Sequence, residues 1–475
     1  MRQTVRQRIR PLGSGQKEGH RAESLSATEL AFIGIGGIIG AGFFLGSGLA
    51  IRTAGPAVLL AFVLGAFITA QVTGSLTSMA INSPQEGSFK AYADAYLGQF
   101  VGFLQGWLYY LSSILTISSE AVAAAIFTQM WIPNVPLWAM AAVYALLVLL
   151  INAFGIQNFG RVESLMSTVK IAALVGFIVY AGILLFSGGV PAGVPSTGNP
   201  SHVSVFTQFR SQPFFPTGFN GLMQSMLIVV FTYAGIGVFG TAAGKAKNNQ
   251  AIERGATWTV LSLAFLYITA IFLVMTLEPW SNLGTSASPF VIALQNTGMP
   301  LIVTLFNGVI LVAAFSVMAG SIFSANQILV SLADEQEAPR FIRRKGPGGG
   351  QTWALAITTG AIAIALLVSN LLPENVYNFL ISASSFGALF NWLVILASFL
   401  RWRRQTRQAF VSKLAFGQPI STILTMILIV TLAGYALFQH DQRLGFYAFV
   451  SISAGIVILY LLVRKRLTLK TPPSN

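Results

Sequence analysis

Twelve separate stretches of about twenty mainly apolar residues dominate the chain, and they leave it few folds. They lie near 28–51, 55–81, 97–128, 136–154, 163–186, 218–241, 255–277, 301–332, 352–370, 375–400, 419–439 and 443–463. Each is long enough to cross a bilayer as an α-helix, and a lone span must satisfy its backbone polar groups internally. A water-soluble fold is excluded, because only 9% of residues are charged where soluble domains carry about 25%. The first stretch follows 27 polar residues and is punctuated by Gly, so it is read as a span and not as a signal peptide. There is no Cys, which removes disulfides, thiol chemistry and Cys-ligated metals. His20, His202 and His440 are scattered through polar segments, so no metal and no cofactor is expected.

The net charge of +14 would suggest nucleic acid in a soluble protein. Here it reports orientation. With the N-terminus inside, 24 of the 28 Lys and Arg residues fall on inner segments; only Arg52, Arg210 and Arg443 fall outside, and Lys170 lies within a span. Retained positive charge marks the cytoplasmic side. The expectation is a multi-pass protein of the cell membrane, in contact with lipid and with both termini cytoplasmic. Its parts are a tail at 1–27, a five-helix unit at 28–186, an outer loop at 187–217, a second five-helix unit at 218–400, two further helices at 401–466 and a tail at 467–475.

Glycine is concentrated in spans one and six. Span one carries Gly34, Gly36, Gly37, Gly40 and Gly42; span six carries Gly235, Gly237 and Gly240. Each Gly costs about 0.8–1.0 kcal/mol relative to Ala in a helix, so both spans are expected to break in mid-membrane. Paired Gly-interrupted segments in matching positions point to an inverted repeat and a binding site. The freed N–H groups suit a carboxylate and the freed carbonyls an ammonium, which an α-amino acid supplies together. The competing explanation is close helix packing through small residues.

Two ionisable residues sit deep in spans, where they default to functional candidates. Lys170 lies in span five. A helix beginning near 163 would put it only about 10 Å in, within reach of the inner interface by snorkelling. Glu120 lies in span three, with Thr116 and Ser113 on the same face by helical spacing.

These features together resemble the amino acid–polyamine–organocation superfamily, specifically its bacterial amino acid permeases. The resemblance rests on GIGGIIGAGFFLGSG at 34–48, GPAVLLAF at 55–62, Pro84 with GSF at 87–89, Tyr92, GW at 106–107, Glu120, Trp131–Pro133, Lys170, TYAGIG at 232–237, AKN at 246–248 and SLADEQEAP at 331–339. It implies an all-α membrane protein of twelve helices with a LeuT-type 5+5 inverted repeat plus two. It implies a substrate site at Ile39, Gly40, Ala41 and Gly42 of span one, completed by Phe231, Thr232, Ala234 and Gly235 of span six, with Ser113 nearby. It also implies that Lys170 stands where related transporters bind sodium, tethering span one to span eight through Ser316, with Ser321 and Ser324 as alternatives. The chain departs from the pattern at Gly237 and Ser78, where acids are common, and at Lys245. Buried charge wants a partner, so fewer acids favour a neutral, apolar amino acid.

The expected function is therefore secondary transport of an amino acid by alternating access, coupled to protons through Lys170 and Glu120, and not catalysis. A sodium-independent exchanger and a non-transporting amino acid sensor are the alternatives. A channel would need a polar or charged constriction that two lone charges do not supply.

Overall fold

The structure is a computed structural model that describes residues 25–84, 88–153, 159–186, 213–244, 246–295, 297–344, 351–369, 376–406 and 408–468. Most of the expected outer loop, both tails to a large extent and Lys245 lie outside the described residues.

Seventeen α-helices make up these residues, with no β-strand among them. They are α1 (Ala27–Ile38), α2 (Ala41–Phe44), α3 (Gly46–Ala54), α4 (Val58–Asn82), α5 (Ser88–Leu97), α6 (Gln99–Thr128), α7 (Leu137–Ala153), α8 (Phe159–Phe186), α9 (Gly218–Tyr233) and α10 (Ile236–Ala243). There follow α11 (Asn249–Leu277), α12 (Pro289–Gln295), α13 (Pro300–Asp334), α14 (Thr352–Ser369), α15 (Val376–Gln405), α16 (Ile420–Ala436) and α17 (His440–Thr468). Span one is α1 to α3 and span six is α9 with α10. Among the described residues, eight helical segments are long and apolar enough to cross a membrane, and the shorter apolar segments Ala27–Ile38, Leu137–Asn152, Thr352–Val368 and Ile420–Ala436 accompany them.

Local chemistry sets several boundaries. Ser26 caps α1: its hydroxyl accepts from the Glu29 N–H, while the Glu29 carboxylate takes the Ser26 N–H at 2.8 Å. Asn248 caps α11 by accepting from the Ala251 N–H at 2.8 Å. Pro56 marks the turn between spans one and two, and Pro300 opens α13. The eighth helix begins at Phe159, earlier than the expected 163, which puts Lys170 roughly 16 Å along it at 1.5 Å per residue.

Span three packs most extensively on spans eight and ten, and α1 on α11. Bulky apolar residues such as Leu165, Ile183, Phe265, Leu301 and Leu305 point outward, as the lipid-facing side of a membrane bundle requires. Helices α16 and α17 lie at the edge, with Ile423, Leu424, Ile427, Leu461 and Leu462 exposed.

Candidate functional site

Both glycine-rich spans break, and the break in span six packs on the end of α1, just before the break in span one. In span one, Ile39 (φ −72°, ψ 103°) and Gly40 (φ −140°, ψ −164°) are extended between α1 and α2. A Cβ at Gly40 would lie 2.6 Å from Val317 Cγ2 and 2.8 Å from Glu120 Oε1, so the close approach of spans three and eight demands glycine there. In span six, Ala234 is extended and Gly235 has φ +133°, a backbone that L side chains rarely adopt. A Cβ on Gly235 would also meet the Gly37 carbonyl at 2.6 Å.

A cavity begins at the breaks. Gly42, Phe231, Ala234, Gly235, Ser113 and Glu120 line it, among the residues expected from sequence. Ile39, Gly40, Ala41 and Thr232 do not contribute to its wall; Ile39 and Ala41 are fully buried. The Thr232 hydroxyl donates to the Val229 carbonyl, and the Thr232 carbonyl accepts from the Tyr267 hydroxyl at 3.2 Å. Further lining comes from Leu76, Phe89, Tyr109 and Trp392, which extend the cavity toward the face where α1 begins. The opposite face is closed by aromatic rings. Phe43 stacks on Tyr267 with centroids 3.7 Å apart, and Phe44, Phe62, Phe290 and Phe306 surround them edge-on or tilted. Beyond them Arg52 donates to the Ser281 carbonyl at 3.1 Å.

One wall of the cavity carries hydroxyls. Thr116 and Ser384 are 2.6 Å apart, Ser112 donates to the Ser384 carbonyl at 2.9 Å, and Ser113 donates to the Tyr109 carbonyl at 2.9 Å. These groups satisfy one another or the backbone. At Gly237 a Cβ would lie 2.3 Å from the Tyr109 hydroxyl, so the ring fills the place where a larger residue would stand.

The two expected charges occupy the ends of the span-one break. Glu120 is buried, and its carboxylate accepts from the Ala41 N–H at 2.8 Å and the Gly42 N–H at 3.2 Å. Sequence reasoning left those donors to a ligand; here the chain's own side chain takes them. Lys170 is fully buried. Its ammonium donates to the Gly36 carbonyl near the end of α1 and to Ser316 Oγ at 2.7 Å on α13. That position, deep in the bundle, corrects the shallow snorkelling geometry.

A further buried charge beside Lys170 is absent from the candidates read from sequence. Glu163 is 1% exposed. It accepts from the Ser316 hydroxyl at 2.8 and 2.9 Å and lies 3.8 Å from the Lys170 ammonium. Ser316 therefore bridges the two: its oxygen accepts from Lys170 while its proton goes to Glu163. The seven-residue spacing from Glu163 to Lys170 puts both on one helical face, and that was the available signal.

A helical bundle with two abutting broken spans around a central cavity is the architecture of a membrane carrier for a small molecule. Residues 29–472 match the family described as "Amino acid permease". The chain is 33% identical over 470 residues to the "Amino-acid permease RocC" of Bacillus subtilis (strain 168), covering 96% of this chain and 98% of that one. It is 31% identical to the "Uncharacterized transporter YcgH" of the same organism, covering 97% of this chain and 100% of that one. It is 29% identical to the "Aromatic amino acid transport protein AroP" of Escherichia coli (strain K12), covering 83% and 85% respectively. The chain belongs to the amino acid permease family.

Proposed function

We propose that this protein carries a neutral amino acid across the cell membrane by alternating access, with proton symport. The observation that carries the reading is the pair of breaks at Gly40 and Gly235, the second packed on the Gly37 carbonyl, beside a cavity whose lining among the described residues holds one charged residue, Glu120. The N–H groups of Ala41 and Gly42 are the seat for the substrate carboxylate, and carbonyls at the breaks receive its ammonium. The face where α1 begins is read as the cytoplasmic one, because that orientation assigns 24 of the 28 bases in the sequence to inner segments. The structure then represents an inward-facing state.

The lining supports a neutral side chain. Phe231, Ile236, Val238 and Val317 are apolar, and the hydroxyls opposite are already paired. A cationic side chain would find only Glu120 as a counter-charge there, and a buried charge needs a partner. The two five-helix units are proposed to rock against each other around this site, with Lys170 and Glu120 as coupling groups.

Uptake into proteoliposomes tests the reading. A neutral amino acid should accumulate when the outside is acidic, and Lys170→Ala should reduce uptake at least tenfold in a folded protein. Uptake indifferent to the pH gradient but dependent on internal amino acid would replace symport by exchange.

A further inference from the structure

Glu120 occupies the two backbone N–H groups that the proposed reading assigns to the substrate. Both of its hydrogen bonds among the described residues go to Ala41 and Gly42. Each of those amides has one proton, and a second carboxylate beside the first would face like charge at about 3–4 Å in a low-dielectric interior. The seat therefore holds one carboxylate at a time. We propose that Glu120 is a tethered occupant of the substrate's carboxylate seat, which an arriving amino acid must displace. This inference rests on the permease reading and adds a competitor to it.

Three features favour displacement over a permanent structural contact. Glu120 and Gly42 both line the cavity, so a ligand there reaches the Gly42 donor from the open side, and the Ala41 donor behind it becomes reachable when the Glu120 carboxylate leaves. The carboxylate approaches the break only because residue 40 is glycine, whose Cβ would stand 2.8 Å from Oε1. The buried groups around it offer no free cation: Lys170 of α8 is engaged by Gly36, Ser316 and Glu163. Tyr267 of α11 donates to the Thr232 carbonyl, and Tyr377 of α15 donates to the Ala41 carbonyl at 3.1 Å.

The competition carries a proton with it. Hydrogen bonds to an ionised carboxylate are about twice as strong as neutral ones, so ionised Glu120 holds the seat and protonated Glu120 yields it. Displacement into the apolar interior loses two charge-assisted bonds, and uptake of a proton by Glu120 removes the charge left behind. Substrate binding and proton binding then favour each other, by the reciprocity of linkage.

Equilibrium binding of each of the twenty amino acids to the purified protein, from pH 5.5 to 8.5, is the test. Wild-type Kd should rise with pH, by up to tenfold per unit for a single linked proton. Glu120→Gln should bind with little pH dependence and no more weakly than wild type at pH 8.5. Glu120→Asp, one methylene shorter, should also relieve the competition while keeping the charge. In ligand-free protein at a single pH, hydrogen exchange of the 39–45 segment should be faster in Glu120→Asp than in wild type. Wild-type affinity independent of pH, or binding lost at every pH in Glu120→Gln with an unchanged melting temperature, would overturn the tethered occupant and leave the permease reading standing. No binding of any amino acid to wild type or either variant would overturn the permease reading itself.

Discussion

At the scale of single residues, three buried charges, Glu120, Glu163 and Lys170, are gathered around the break in span one. Lys170, Ser316 and Glu163 form a chain from span five to span eight and back, anchored on the Gly36 carbonyl of span one. Removing one partner of a buried pair leaves the other uncompensated, typically at about 3–5 kcal/mol. Glu163→Ala should accordingly lower the melting temperature in detergent, and so should Lys170→Ala. Because the two removals share one interaction, the double variant should be less destabilised than the sum, by about 0.5–3 kcal/mol. Strictly additive losses would show that Glu163 and Lys170 act independently.

At the scale of elements, α5 is fastened to the end of α13 by a cluster outside the membrane. The fully buried Lys90 ammonium meets Asp94 at 2.7 Å, Glu335 at 2.5 Å and Glu337 at 3.0 Å. Burial works against its charge, but Asp94, Glu337 and Glu335 outweigh that and hold Lys90 above its ordinary value. Three carboxylates share one ammonium. Burial pushes Asp94 up to about 7 against the pull of Lys90, and burial raises Glu337 as well. An acid raised in the folded state binds its proton more tightly there than when unfolded. Its stabilising effect is full below the ordinary aspartate value, and it is lost as pH rises through about 7. The fastening should loosen over that interval, seen as faster hydrogen exchange in α5. Asp94→Asn should flatten that pH response; a response unchanged in the variant would assign it to another group.

At the scale of the whole molecule, the aromatic layer around Phe43 and the cavity below it divide the protein into a sealed side and a reachable one. The natural absence of Cys makes this directly measurable. A single thiol introduced as Ser113→Cys lies on the cavity wall. A membrane-impermeant thiol reagent should label it from the face where α1 begins and only slowly from the opposite face. Adding Phe43→Ala removes the ring stacked on Tyr267 and should raise labelling from the opposite face several-fold. Equal labelling from both faces in the Ser113→Cys protein would contradict the seal.

The apolar runs, the distribution of basic residues and the paired glycines determined the all-helical membrane architecture and the two places where helices break. These are local properties: run length sets a span, and glycine density sets a break, whatever the neighbours do. Lys170 and Glu120 were legible for the same reason, as charges inside apolar runs. What each charge touches was decided by tertiary structure alone. Gly36, Ala41 and Gly42 lie more than seventy residues from the side chains that meet them. Glu163 sits at the edge of an apolar run in sequence, and only the earlier onset of α8 and its contact with Ser316 of α13 put it in the interior. A break exposes donors and acceptors in proportion to its sequence, but whether a ligand or the chain's own carboxylate takes them depends on which distant helix packs against it.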